Sequence, residues 1–297
     1  GEQSFSTNDL DDFIVRKKDA TPTFMFANAV DDSLMEVDLV LRGDDHLSNT
    51  PRQIALLKAL NLSLPQYAHV SLFTGLDGAP LSKRNGSLSI NDLREMGYLP
   101  KAVANYLSRV GHTIPDNDLK TLEDLALVFE TQNISSSPSK FDMDQLLFWQ
   151  KKTVESLTVN ECKEWLEKHL RDLPSDLNHE DFIELVKDNI NFPEEAKNYL
   201  NKLFYQPLTA QTEVENIIKT AGKEFYLVAY KVIDSGFDNW IEATKLIGGE
   251  SGKKGKDLFM PLRVAITGQT KGPELDKVVD FIGVNRVLER VKEASEL

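Results

Sequence analysis

The sequence predicts a short α/β region followed by a long helical remainder, so that the protein is mostly α overall. Three observations predict this. Apolar runs of strand length at 23–30 and 37–41 suit a parallel sheet covered on both faces. From about residue 140 onward, apolar residues recur at helical spacing in seven or eight segments, broken at Pro174, Pro193, Pro207, Gly236 and Pro261. Strand-bearing text at one end with only helical text at the other argues for separate domains.

Taken in order, residues 1–19 begin polar and then alternate loosely around Phe13, Ile14 and Val15, as a first strand and turn would. The run at 23–30 reads as a strand with Asn28 near its end, and 37–41 as a second. Thr50-Pro51 opens a helix, Thr as the cap and Pro at the first turn, with Ile54, Leu57 and Leu60 on one face. A short apolar stretch at 70–73 leads into a Gly75-Leu76-Asp77-Gly78 turn and a basic loop. Ser89-Ile90-Asn91-Asp92 caps a short helix ending near Gly97, and 100–110 forms another. Thr158-Val159-Asn160-Glu161 is a capping box, and Trp149, Trp165 and Trp240 occupy core-like positions.

With 297 residues, 41% of them hydrophobic, the chain can build two or three domains with real cores. It has no apolar run long enough for a membrane span and no secretory leader. The lone cysteine, Cys162, excludes an intrachain disulfide and fits a reducing, cytoplasmic setting. The text begins at Gly1 and reads as a portion of a longer protein. A net charge of −13 argues against indiscriminate nucleic-acid binding. Two basic islands interrupt that acidity. Residues 79–110 carry five cations against two carboxylates, and 251–271 carry five against one. Such islands hold a polyanion in one pose, or are simply solvated surface.

Arg42 lies at the carboxyl end of a predicted strand, where ligands bind in open α/β sheets, and its planar fork suits a carboxylate. Asp44-Asp45-His46 fits a capping turn, a substrate-facing loop or, with further ligands, a metal site. His69 fits a packed strand histidine better than a catalytic base. In the loop Gly78-Ala79-Pro80-Leu81-Ser82-Lys83-Arg84-Asn85-Gly86, backbone can approach phosphates while Lys83 neutralises them.

Several blocks stand in order: 22–32, Arg42 to Gln53, 67–72, Leu81-Ser82-Lys83-Arg84, 97–100 with 105–107, 137–142, and 254–263 with Thr267-Gly268. Together they resemble the bacterial glutamyl-tRNA synthetases of class I, the basic loop matching the KMSKS-type loop. The resemblance implies an α/β portion of a Rossmann-type nucleotide-binding catalytic domain, then a mainly helical stem-contact module, then an all-α anticodon-binding domain. Boundaries fall at 1–75, 76–142 and 143–297. It implies ATP-dependent activation of glutamate and transfer to tRNA(Glu) in protein biosynthesis, with ATP and Mg2+ as substrate and no zinc in this portion. Partners are tRNA(Glu), ATP and L-glutamate, with no membrane, in a cytoplasmic monomer.

By that resemblance Lys83 and Ser82 are catalytic, and Lys83, Arg84, Asp45 and His46 lie at ATP. Arg42, Asn28 and Phe24 hold the amino acid; Arg263, Lys253, Lys254 and Lys256 contact tRNA. Two residues depart from the pattern, Pro80 where the loop usually has lysine and Phe24 where tyrosine is common. No His-Ile-Gly (HIGH-type) motif occurs anywhere, so the chain holds half an active site and is expected to be inactive alone. The alternatives are a non-catalytic tRNA-binding module and a relaxed enzyme that also charges tRNA(Gln).

Overall fold

The computed structural model describes residues 3–6, 10–79, 81, 88–135, 137–171, 173–175 and 177–297. The chain divides into two compact units. One is drawn from residues up to Ser89 together with Ala104–Leu146, the other from Ile90–Val103 together with Leu147–Leu297.

The first unit contains α1 (Phe24–Leu34), β1 (Leu39–Gly43), a 3-10 turn (Asp44–Asn49), α2 (Thr50–Ala59), β2 (Gln66–Val70) and β3 (Phe73–Thr74). β1 and β2 pair in parallel through the α2 crossover, with Arg42 opposite His69 and Gly43 opposite Val70. The turn expected at 75–78 forms, closed by Gly75 N–H on the Ala79 carbonyl at 2.8 Å. The run at 23–30 is helix α1, not a strand, so Asn28 sits mid-helix. A short apolar run has no period of its own. Ala29 and Ser33, four apart, are the residues α1 buries, and that face packs on α2. Among the described residues no strand forms around 13–15; an isolated bridge joins Arg16 to Pro22.

Next in the chain come α3 (Ile90–Glu95) and α4 (Pro100–Leu107). They are followed by α5 (Leu122–Val128) and β4 (Ser139–Lys140), which pairs parallel with β3. The polar knot at Asn105 is fully buried: its amide donates to the Lys120 carbonyl at 2.8 Å and accepts from Lys120 N–H at 3.0 Å. Arg109, counted above in a basic island, donates instead to the Asn105 and Asp118 carbonyls, both at 2.9 Å.

The remaining helices are α6 (Met143–Ser156), α7 (Val159–Leu166), α8 (His179–Val186), α9 (Pro193–Phe204), α10 (Thr212–Ala221), α11 (Lys223–Asp234), α12 (Trp240–Ser251), α13 (Lys256–Thr267) and α14 (Leu275–Glu296). Nine helices among the described residues exceed the seven or eight expected. Gly222, at φ +86°, divides α10 from α11 without a proline. Pro261 does not break a helix; it lies buried inside α13. The capping box at Thr158 and Glu161 forms, opening α7. Leu166, Phe182, Leu200, Ala229, Ile247, Leu262 and Val287, one from each of seven helices, are fully buried in one core. Truncating such a leucine to alanine costs roughly 2–5 kcal/mol.

Two polar devices fix this second unit. Gln150, fully buried, accepts from Leu99 N–H at 2.9 Å and donates to the Gly97 and Asn191 carbonyls at 3.3 and 2.8 Å. Gly97 is at φ +92°, and a Cβ there would lie 2.5 Å from the Pro193 ring, so only glycine fits. Arg286 and Arg290, one turn apart on α14, cover the carboxyl end of α9. Arg286 donates to the Leu203 and Phe204 carbonyls at 2.9 Å; Arg290 reaches those of Lys202 and Gln206 at 3.2 and 3.0 Å. Cations at a helix carboxyl end meet unpaired carbonyls and the negative end of the helix dipole.

Candidate functional site

β1 delivers Arg42 to its carboxyl end, and the residues around it commit most of its guanidinium. NH2 donates to Thr50 Oγ1 at 2.8 Å and to the His46 carbonyl at 3.5 Å. Nε donates to His69 Nε2 at 3.3 Å. The guanidinium carbon lies 5.1 Å from the centre of the Tyr67 ring. NH1 is buried and has no hydrogen-bond partner. Burial pushes the Arg42 pKa down, opposed by Tyr67, Asp32 and Asp45; the group remains a cation.

Three further buried polar atoms lack partners here: Asp32 Oδ2, Gln53 Oε1 and Tyr67 OH. Asp32 and Asn28 are four apart on α1 and so share a face. Gln53, fully buried on α2, donates to Asn28 Oδ1 at 3.1 Å. Burial raises the Asp32 carboxyl above its usual range, with Arg42 opposing, and likewise raises the Tyr67 phenol. An unmade buried hydrogen bond costs about 1–3 kcal/mol, so a concentration of them marks a place built for a ligand.

Of the expected amino-acid residues, the structure thus brings Arg42 and Asn28 to the neighbouring elements β1 and α1. Phe24 is half exposed, its ring 5.2 Å from that of His46. His46 Nδ1 lies 3.0 Å from Asn49 Nδ2, and its Nε2 is 3.7 Å from the exposed carboxylate of Asp45. Thr50, expected as a helix cap, is the first helical residue and turns its hydroxyl to Arg42 and His69 instead. Pro80, Ser82, Lys83 and Arg84 lie outside the described residues. Among the described residues no group of three or more His, Cys, Asp or Glu could hold a metal ion.

Sequence reasoning misses Asp32, Gln53 and Tyr67, takes Thr50 only as a helix cap, and reads His69 as a packed strand histidine with no bond to Arg42. The strand register supplies the missing signal, since Arg42 faces His69 across the ladder.

In the second unit, Arg263 on α13 is half-buried and donates through NH1 to the Pro273 carbonyl at 2.9 Å. Near it the Tyr199 hydroxyl is buried without a partner and its pKa is driven far up by burial, with Arg263 opposing. Lys253 is held by the Ala221 carbonyl at 2.7 Å and by the Phe225 ring at 4.7 Å, whereas Lys254 and Lys256 are exposed.

Residues 1–148 match the family "tRNA synthetases class I (E and Q), catalytic domain", and 157–295 match the family "Anticodon binding domain". The class is therefore that of the class I aminoacyl-tRNA synthetases. Glutamate–tRNA ligase 1 of Halorhodospira halophila is 45% identical over the whole chain, and glutamate–tRNA ligase 2 of Nitrosococcus oceani is 42% identical over 98% of it. The chain spans 62% of the length of each. In fold it resembles the glutamate–tRNA synthetase of Elizabethkingia anophelis, with a TM-score of 0.83 at 24% identity, covering 98% of this chain and 63% of that one. Bacterial glutamate–tRNA ligases thus match this chain along its length, with a class I catalytic family and an anticodon-binding family in that order.

Proposed function

We propose that this chain serves a glutamate–tRNA ligase, supplying the amino-acid anchor, the KMSKS-type loop and the tRNA-binding helices. The observation that carries the reading is Arg42, half-buried at the end of β1 with two of its nitrogens committed and a buried NH1 without a partner. A guanidinium so held can donate to a carboxylate through its unpartnered nitrogen, and to an amide less well. Asn28 and Phe24 line the same pocket; Asp45 and His46 border the nucleotide.

In the reaction, a carboxylate oxygen of glutamate attacks the α-phosphorus of ATP, supplied with Mg2+, and pyrophosphate leaves. The terminal ribose hydroxyl of tRNA(Glu) then attacks the acyl carbon, loses its proton, and AMP departs. Lys83, assisted by Ser82 and Arg84, neutralises charge that builds on the phosphates. Arg263 reads an anticodon base, while Lys254, Lys256 and, more weakly because it is tied down, Lys253 position phosphates. The modules divide at 1–75, 76–142 and 143–297, and the enzyme works as a monomer in the cytoplasm.

Glutamate-dependent ATP–pyrophosphate exchange tests this. A ligase containing the chain exchanges and loses the activity on Lys83→Ala. The chain alone, with no HIGH-type motif, gives no exchange above its own Lys83→Ala control. Exchange by the chain alone contradicts the half-site reading.

A further inference from the structure

His69 has no part in the proposed reaction, yet its ring is hydrogen-bonded directly to Arg42. It stands opposite Arg42 in the β1–β2 ladder, and two donors converge on one of its nitrogens. Arg42 Nε lies 3.3 Å and Thr50 Oγ1 3.0 Å from Nε2. An arginine Nε always carries its proton, so Nε2 must be the bare, accepting nitrogen, and the ring proton sits on Nδ1. Thr50 completes the clasp by accepting from Arg42 NH2 at 2.8 Å. With Nε and NH2 both held, the guanidinium plane is fixed, and NH1 is left as the nitrogen without a partner.

From this we infer that neutral His69 is a positioning residue: it clamps Arg42 with NH1 left unpartnered for the substrate's side-chain carboxylate, and proton uptake on Nε2 opens the clamp. The inference rests on the reading of Arg42 as the carboxylate anchor. A protonated ring would set N–H against N–H between two cations, and the guanidinium would have to turn away. The groups that bear on the ring agree with this. Arg42 on β1 and His46 on the 3-10 turn disfavour a second positive charge, as does burial, while Asp44 favours it. Lys58 on α2 lines the same cavity of about 950 Å³ as His69, Tyr67 and Asp44. Acid, by this argument, weakens binding of the substrate.

The test is an NMR titration of a ligase containing this chain with L-glutamate, L-glutamine serving as the amide control. The readouts are the Arg42 Nε–H cross-peak and the His69 ring nitrogens, followed from pH 8 downward. The expected ring is the Nδ1–H tautomer. Glutamate binding should weaken about tenfold as His69 takes up its proton, the scale of one hydrogen bond to a charged group. His69→Gln, whose amide oxygen can accept from Arg42 and does not titrate, should bind glutamate with no such step. His69→Phe, with no acceptor, should bind about tenfold more weakly at every pH.

An Nε2–H tautomer at neutral pH, or glutamate binding that is pH-independent in the unsubstituted chain, overturns the inference alone. So does His69→Phe binding as well as His69→Gln. An Arg42 signal that responds to glutamate in no variant at any pH overturns the anchor reading, and the inference with it.

Discussion

Replacing Arg290 by methionine removes a guanidinium that is 2% exposed while keeping a side chain of suitable length. Three hydrogen bonds go with it: to the Gln206 carbonyl at 3.0 Å, the Lys202 carbonyl at 3.2 Å and Glu293 Oε2 at 3.1 Å. Hydrogen bonds to a charged donor contribute roughly 1.5–3 kcal/mol each. The guanidinium's own desolvation, which lowers its pKa, is relieved in the variant and offsets part of that sum. The net loss should be about 3–5 kcal/mol, the range for breaking a buried pair from one side. Urea unfolding followed by tryptophan fluorescence suits the measurement, because Trp149, Trp165 and Trp240 all report on the second unit. At a slope of about 2 kcal/mol per molar, the midpoint falls by about 2 M. Arg290→Met combined with Glu293→Gln should recover part of the loss, since Glu293 keeps only its bond from Leu208 N–H at 2.7 Å. A shift smaller than about 0.5 M would refute the claim that α14 clamps the end of α9.

Because the folded chain holds His69 below its ordinary pKa, the unfolded chain binds the proton more readily. Stability from this group is complete above the ordinary histidine pKa and declines as pH falls below it. His69→Gln should flatten that part of a stability–pH profile, and an unchanged profile would count against a buried neutral ring. Arg263→Ala should cost roughly 1–3 kcal/mol of tRNA affinity and relax selectivity at one anticodon base. Filter binding across anticodon variants decides it: an equal loss for every anticodon rules out base reading.

Much of this architecture can be read from the chain because it rests on local signals. The Thr158 capping box, the Gly75–Gly78 turn and the helical period of the C-terminal half depend on residues close in sequence, and each forms. The segment 23–30 reads as a strand because a short, mostly apolar run fits a strand as well as a helix. Only burial of Ala29 and Ser33 against α2 settles the matter, and that contact is tertiary. The site divides in the same way. Arg42 was legible from its place at a strand end. The clasp of Thr50 and His69 was not, because it depends on the register between β1 and β2 and on a crossover that carries Thr50 back beneath the guanidinium. Pro261 looked like a helix breaker, yet α13 runs through it, with Tyr226 donating to its carbonyl at 3.4 Å.

The most direct test of the account measures preference for acid over amide. In a ligase containing this chain, kcat/KM for activation of glutamate and of glutamine would be compared before and after Arg42→Gln. The account predicts that the preference for glutamate collapses by about 100-fold or more, chiefly through KM for glutamate, as expected when a charged hydrogen-bond partner is lost. A preference that survives the substitution intact would mean that some other group selects the carboxylate.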